Sequence, residues 1–392
     1  MKPASLFDDA KQTVPEAIEL TVQSLLAFGH HRHWAIAWSG GKDSSTLLTV
    51  IVHLIDSGRV RRPETLTVCY ADTRMELTPL AIAAARMIDQ LRERGIDVRT
   101  VLPELDDRFF VYMFGRGVPP PSNTFRWCTP QIKVEPMQRE LQRLHGERGE
   151  KLLMLTGVRI GESAARDSRI SMACGVNGAE CGQGWYQETL PGDLCDTLAP
   201  MLHWRVCNVW EWLRVFAPAT RYGRWATAVI ADAYGGDEAE ELNCRTGCVG
   251  CPLASRDNAL DTILRLPEWR YLAPLKDLKP LYRELKLPVH RLRKPGGEKR
   301  ADGTPVKNQH RMGPLTFEAR RWGMARVLDI QRRVNEMAAI EGRPPIDILD
   351  PEEVDRIEAL ITAGTWPRRW TGEEPRADVP FVESGERLLF GE

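Results

Sequence analysis

The chain lacks any apolar run of about 18 residues, the length a helix needs to cross a bilayer, and Met1–Asp9 has no basic-then-apolar leader pattern. A cytoplasmic protein with no membrane partner is expected. An excess of charge is missing too: 53 Lys and Arg face 54 Asp and Glu, so the net charge of −1 gives no argument for a polyanionic partner. There is no internal repeat and no low-complexity tract. The G-x-x-x-x-G-K-[ST] loop is absent as well, which excludes a Walker-type NTPase. Nine cysteines without a secretory leader read as reduced, metal-binding or catalytic thiols rather than a disulfide framework.

What is present begins at Ser39-Gly40-Gly41-Lys42-Asp43-Ser44-Ser45, between the apolar run His33–Trp38 and the helix-like run Thr46–Ile55. A Gly-rich turn between strand and helix offers backbone N–H groups and the positive end of a helix dipole to an anion. Lys42 adds a full charge, and the three serines add hydroxyl donors. The order S-G-G-K-D-S resembles the PP-loop of the ATP pyrophosphatases, which grip the β,γ-pyrophosphate.

The spacing predicts an amphipathic helix over 14–29, strands over 65–70, 98–102 and 151–156, and a helix over 76–94. Short apolar strands alternating with helices imply an α/β fold, a parallel sheet with helices on both faces. Ligands of such sheets sit beyond the carboxyl ends of the strands. The unusual residues fall there: Ser39 to Asp43, Asp72 with Thr73, and Gly157 to Arg159. Residues 171–197 read as a Gly- and Cys-containing insertion. After about residue 205 the pattern turns helical, with candidate helices over 316–340 and 351–361. The expected division is a nucleotide domain over 1–215 and a mainly helical region with a metal or Fe–S site over 216–392.

Asp43, Asp72 or Glu76 near a triphosphate can hold Mg²⁺, although Asp72 or Thr73 can instead cap the next helix. In Gly157-Val158-Arg159-Ile160-Gly161-Glu162-Ser163-Ala164-Ala165-Arg166, the two arginines are seven apart and would share one face of a helix. Two guanidiniums placed there would receive phosphate oxygens as AMP and pyrophosphate separate. Cys244, Cys248 and Cys251 have C-x3-C-x2-C spacing, and Cys128 is the best fourth ligand. Four cysteines suit [4Fe–4S] or Zn²⁺, and a trio with a lone partner favours the cluster over two separated zinc pairs. Cys174, Cys181, Cys195 and Cys207 remain; one of them can replace Cys128 or carry persulfide sulfur. Cys69 and Cys207 are expected in the core, and His30, His31 and His33 in an exposed turn.

Further segments extend the pattern. Phe109–Pro121, then Phe125-Arg126-Trp127-Cys128-Thr129 with Lys133, together with the loop, the G-V-R-x-x-E-S-x-x-R block, the cysteine trio and Gly313–Arg320, resemble the DndC family. These are the PAPS-reductase-like ATP pyrophosphatases of DNA phosphorothioation, and the likeness spans about residues 33–340. Asn208 stands where that family has Asp, at a position suited to capping a helix. The resemblance implies a [4Fe–4S] protein that converts ATP to AMP and pyrophosphate beside a cysteine desulfurase as sulfur donor and other modification-system subunits. By the same likeness Ser39 to Ser44 bind pyrophosphate, and Cys128, Cys244, Cys248 and Cys251 hold the cluster. A single-strand phosphorothioation system or a CRISPR-associated CysH-like protein fits the same motifs.

Other functions follow from the same residues. A sulfonucleotide (PAPS or APS) reductase needs a nucleophilic cysteine in a C-terminal tail, and no cysteine follows Cys251. A tRNA-thiolating enzyme and a non-catalytic nucleic-acid-binding subunit are the remaining readings. The basic stretch Arg283–Arg311 and the cluster Trp366-Pro367-Arg368-Arg369-Trp370 suit a nucleic acid, DNA before RNA, or a solvated loop.

Overall fold

A computed structural model describes residues 12–160, 194–236, 247–300 and 302–379. Glu162, Ser163, Arg166, Cys174, Cys181 and Cys244 lie outside the described residues. The chain divides into two compact units: Met1–Asp72, Glu76–Leu102 and Lys133–Gly247 form the first, and Thr73–Met75, Pro103–Ile132 and Cys248–Glu392 the second. Sequence pattern alone placed one cut after residue 215, whereas the chain passes between the units several times.

The first unit is a five-stranded parallel sheet with helices, in the order β3-β2-β1-β4-β5. Its strands are β1 (His33–Trp38), β2 (Thr65–Ala71), β3 (Asp97–Val101), β4 (Leu152–Leu155) and β5 (Cys195–Leu198). Its helices are α1 (Val14–Phe28), α2 (Lys42–Asp56), α3 (Thr78–Glu93), α4 (Glu135–Arg148) and α5 (Val206–Glu211). Near-continuous apolar strands such as Leu152-Leu153-Met154-Leu155, buried throughout, are what a sheet covered on both faces requires. In register, Trp34 lies between Leu66 and Leu153, and Leu152 faces Cys195. Strand order reverses on either side of β1, so the crevice beyond the carboxyl ends of β1 and β4 is the natural ligand position.

Local chemistry explains the helix positions. Thr13 and Glu16 form a reciprocal cap that starts α1. Three buried indoles pin helices to the core through hydroxyls: Trp38 donates to Ser45 Oγ at 2.9 Å, Trp204 to Thr21 Oγ1 at 2.9 Å and Trp212 to Thr49 Oγ1 at 2.8 Å. A buried indole N–H needs such an acceptor. Asn208 caps α5 as expected, its Oδ1 accepting from the Arg205 N–H at 3.1 Å. Its amide also donates to the Gln12 carbonyl at 2.9 Å, which a carboxylate cannot do.

Several expectations change. Cys195 begins a fifth strand rather than closing an irregular insertion. Cys69 is buried as expected, but Cys207 is exposed, because α5 turns Asn208, Val209 and Trp210 inward instead. His33 is buried beside Thr65 Oγ1 at 2.9 Å, and His31 meets Asp196 at 2.8 Å, so neither belongs to an open turn.

The second unit is mainly helical. It holds α6 (Asn258–Ile263), a 3-10 run (Pro267–Asp277), α7 (Leu278–Glu284), α8 (Phe317–Glu341) and α9 (Pro351–Thr362). A short antiparallel pair, β6 (Arg291–Arg293) and β7 (Met312–Leu315), completes it. Thr316 caps α8, accepting from the Ala319 N–H at 3.2 Å. Asp350 and Glu353 form a capping box on α9. No helix of the described residues is long and apolar enough to cross a membrane.

Candidate functional site

The turn after β1 opens the site. Gly40 adopts φ +72°, and Gly41 precedes α2 without a side-chain cap, so the first amides of α2 lack the usual acceptor. The Lys42 N–H donates to the Tyr234 hydroxyl at 3.2 Å. Ser39 Oγ and Ser44 Oγ lie 3.2 Å apart at the lip of the turn. Ser45, by contrast, is fully buried beneath the Trp38 indole, so its hydroxyl serves the core.

Charge converges on Asp43. Lys42 Nζ lies 2.7 Å from its Oδ2 and Arg159 Nε 2.6 Å from its Oδ1. Arg159 is 4% exposed and also donates to the Trp204 carbonyl at 3.2 Å. Asp43 therefore holds two cations in place at the strand ends. Arg159 lies in extended chain after β4, not on a helix, because Thr156 and Ile160 N–H groups pair onward with Leu198 and Leu202 carbonyls. The helical face shared by Arg159 and Arg166 is thus not what places Arg159.

Gly157 makes the convergence possible. A Cβ on it would stand 2.8 Å from the Asp43 carbonyl carbon and oxygen and 2.9 Å from the Ser44 nitrogen. Only glycine lets β4 approach the start of α2 so closely. Beside it opens a cavity of about 210 Å³ lined by Trp38, Ser39, Ala71, Met137, Thr156 and Val158, with Lys133 exposed at the rim. Thr156 is 4% exposed, and its hydroxyl has no hydrogen-bond partner among the described residues. Apolar walls, a flat indole and one buried hydroxyl suit a purine ring. Thr156 and Tyr234 were not legible beforehand: a lone Thr at a strand end carries no motif, and Tyr234 lies 192 residues beyond Lys42.

The end of β2 behaves differently from expectation. The Asp72 N–H donates to the Val101 carbonyl at 3.1 Å, continuing the sheet. Thr73 is buried in the second unit and accepts from the Met75 N–H at 3.3 Å. Neither caps α3, whose first position follows Leu77. Next to Thr73, Arg74 adopts φ +63° and is held by Asp350 at 3.0 Å. Among the described residues no three His, Cys, Asp or Glu groups converge as a metal centre.

Three of the four expected sulfur ligands belong to the second unit. Cys248 and Cys251 share a tight turn, with the Cys251 N–H donating to the Cys248 carbonyl at 3.1 Å. Burial pushes the Cys128 thiol up, and the charge of Cys251 adds to that shift. The fourth, Cys244, lies outside the described residues.

The sequence from the first residue of β1 to Phe216 has a known counterpart. Residues 33–216 match the phosphoadenosine phosphosulfate reductase domain. No curated protein matches the chain. Among solved structures it is similar to *Candida glabrata* FMN adenylyltransferase with FMN and an ATP analogue (14% identity, TM-score 0.33), covering 54% of this chain and 59% of that one. A *Candida auris* phosphoadenylyl-sulfate reductase is 12% identical over 52% of this chain and 79% of that one, with TM-score 0.31. A *Methanococcus maripaludis* U34-tRNA thiolase with its [4Fe–4S] cluster is 13% identical over 69% and 79%, with TM-score 0.34.

The matched residues include the turn, Asp43, Arg159 and the cavity lining, whereas Cys248 and Cys251 follow them. The basic stretch lies beyond them too, and part of its charge is spent internally. Lys294 sits 4.4 Å over the Trp370 ring and 2.7 Å from Glu374, and Arg311 pairs with Glu298. Lys299, Arg300 and Lys307 remain exposed.

Proposed function

We propose that the chain is a PP-loop ATP pyrophosphatase that adenylylates a nucleic-acid oxygen, preferably of DNA, for replacement by sulfur. The observation that carries this reading is the uncapped start of α2, flanked by Lys42, Asp43 and Arg159, beside the base-sized cavity. In this reaction the acceptor oxygen attacks the α-phosphorus and the bond to the β-phosphate bridging oxygen breaks. Pyrophosphate leaves with the bonding pair. The amides of α2, Lys42 and Ser39 with Ser44 receive it, and Arg159 faces the α-phosphate side. Asp43 is a positioning residue that aims both cations. Electrostatic stabilisation of the leaving group by fixed donors supplies the largest part of such catalysis.

A cluster held by Cys128, Cys244, Cys248 and Cys251 would supply sulfur or electrons for the second stage. A cysteine desulfurase would be its sulfur source. The match to the reductase domain favours a second reading, reduction of a sulfonucleotide, but no cysteine follows Cys251 to act as the nucleophile.

Protein purified without oxygen should convert ATP to AMP and pyrophosphate, faster when DNA is present, as followed by chromatography. Lys42→Ala should lower pyrophosphate release by about 10²–10³-fold, the usual effect of losing one fixed donor to developing charge, with an unchanged melting curve. Retained turnover in that variant would remove Lys42 from the reaction. Sulfite release from a sulfonucleotide with a thiol reductant would instead establish the reductase reading.

A further inference from the structure

Residues 286–311 hold eight Lys and Arg against two Asp and Glu, in a chain whose net charge is −1. Charge so concentrated focuses a positive field on one surface of an otherwise acidic chain. Most of the stretch connects β6 to β7, and it is an ordered arm. The Lys294 N–H donates to the Arg311 carbonyl at 3.1 Å, Val306 to Glu298 at 3.1 Å and Arg300 to Thr304 at 2.7 Å, so its two sides pair along their length. The Gln309 amide ties the Glu298 and Val306 carbonyls together at 3.1 and 2.9 Å. Residues 375–377 add to the other edge of β6, the Arg293 N–H donating to the Pro375 carbonyl at 2.8 Å and the Ala377 N–H to the Arg291 carbonyl at 2.7 Å.

The acidic groups of the arm serve its own folding. Glu298 is taken by Arg311, with Oε1 3.0 Å from Nη2, and Asp302 accepts from the Thr304 N–H at 2.9 Å in the turn at the tip. Lys294 is held by Glu374 at 2.7 Å. Lys299, Arg300 and Lys307 are exposed and meet no carboxylate among the described residues. Arg368 is likewise exposed and unpaired among them, in a loop fixed to the base of the arm where Lys294 Nζ donates to the Arg369 carbonyl at 2.5 Å.

Two features choose the partner. No large apolar side chain between Lys294 and Arg311 is exposed among the described residues, so the arm lacks the apolar centre that a protein interface or a membrane anchor needs. Interfaces with nucleic acid are instead polar and positively charged. The arm also contains no Phe, Trp or Tyr. Trp370 at its base is covered: a Cβ on Gly313 would fall 2.0 Å from the ring, and Lys294 lies 4.4 Å from the ring centroid. Single strands are held by bases stacked on free aromatic faces, whereas the phosphates of a duplex need only the cations. We infer that this arm is the docking surface for duplex DNA, with Lys299, Arg300, Lys307 and Arg368 gripping the sugar–phosphate backbone without reading its sequence. This rests on the DNA acceptor of the proposed function.

The test titrates the full chain, without ATP, into a labelled duplex of arbitrary sequence, following anisotropy between about 50 and 200 mM salt. Lys299→Ala, Arg300→Ala and Lys307→Ala combined should flatten the plot of log affinity against log salt by about 2.7, roughly 0.9 per phosphate contact, and weaken binding near 0.1 M salt by about 10²–10³-fold. Arg368→Ala alone should flatten it by about 0.9. Lys299→Arg with Lys307→Arg keeps the charges and should keep the slope. Arg332→Ala removes an equal charge from α8, where Asp329 and Glu336 hold it at 2.6 Å, and should leave the plot unchanged. An unchanged slope in the triple variant, with a wild-type melting curve, overturns the inference alone. So does a loss of affinity confined to a single strand of the same sequence. Poly-glutamate that displaces the duplex as well as unlabelled duplex does would assign the arm to an acidic protein and overturn it too. A wild-type chain that binds no duplex overturns the DNA acceptor and the inference with it.

Discussion

Gly157→Ala is expected to lower ATP turnover by about a hundredfold, although it adds a single methyl group. The new Cβ would meet backbone atoms of Asp43 and Ser44 at 2.8–2.9 Å, and backbone at a helix start cannot swing aside as a long side chain can. Either α2 shifts outward or the chain after β4 does. Each movement separates Arg159 from Asp43 and turns the α2 amides away from their target. A misplacement near 1 Å is enough to cost about 10²-fold in a reaction that depends on alignment. Overpacking adds a stability loss of roughly 1–3 kcal/mol. Pyrophosphate release and a thermal melt measured together separate the two effects. As a control, Ile160→Ala, at a side chain 55% exposed three residues on, should leave turnover unaltered. Wild-type turnover in Gly157→Ala would show that the approach of β4 to α2 is irrelevant to the reaction.

The second large effect concerns stability. Arg320 is fully buried and donates to the carbonyls of Leu315 at 3.1 Å, Gly115 at 3.2 Å and Thr365 at 2.7 Å. Its guanidinium also lies 4.1 Å from the Trp366 ring and 4.6 Å from Phe317. Burial pushes its pKa down, and three carbonyls with two ring faces oppose that penalty. One side chain thereby ties three distant segments of the second unit together. Arg320→Ala leaves three acceptors unpaired and opens a cavity, a loss on the order of 4 kcal/mol. For a unit of this size the melting temperature should fall by roughly 8–16 °C. Lysine keeps the charge but not the planar fork, so Arg320→Lys should recover less than half of the loss. A calorimetric scan of the full chain decides the matter, and an unchanged transition would show that the three carbonyls find other partners.

Much of this was legible along the chain. β1, β2 and β4 announce themselves as buried apolar runs, and α1, α8 and α9 as helical periods with recognisable first residues. Ser39 to Ser44 were readable because a strand, two glycines, a lysine and a helix occur in immediate succession. β5 was not: Cys-Asp-Thr-Leu is too short to show a period, and only its pairing with β4 makes it a strand. Cys207 misled for a related reason, since an apolar neighbourhood does not say which face of a six-residue helix turns inward.

Chemical identity and local order were therefore decided by the sequence itself. An α/β unit, a glycine-rich turn before a helix, a lysine beside a carboxylate and a spaced set of cysteines each depend on residues close together in the chain. Only the tertiary structure decided what those groups do to one another. It brought Arg159 to Asp43 across 116 residues and Tyr234 to the start of α2. It buried Ser45 beneath Trp38 instead of presenting it at the turn, and left the Thr156 hydroxyl unpaired at the edge of a cavity. It also set Lys279 against the cysteine turn. These outcomes follow from packing, where the position of each group depends on what remains once the strands and helices have filled the core. Such constraints are collective, and no stretch of sequence carries them alone.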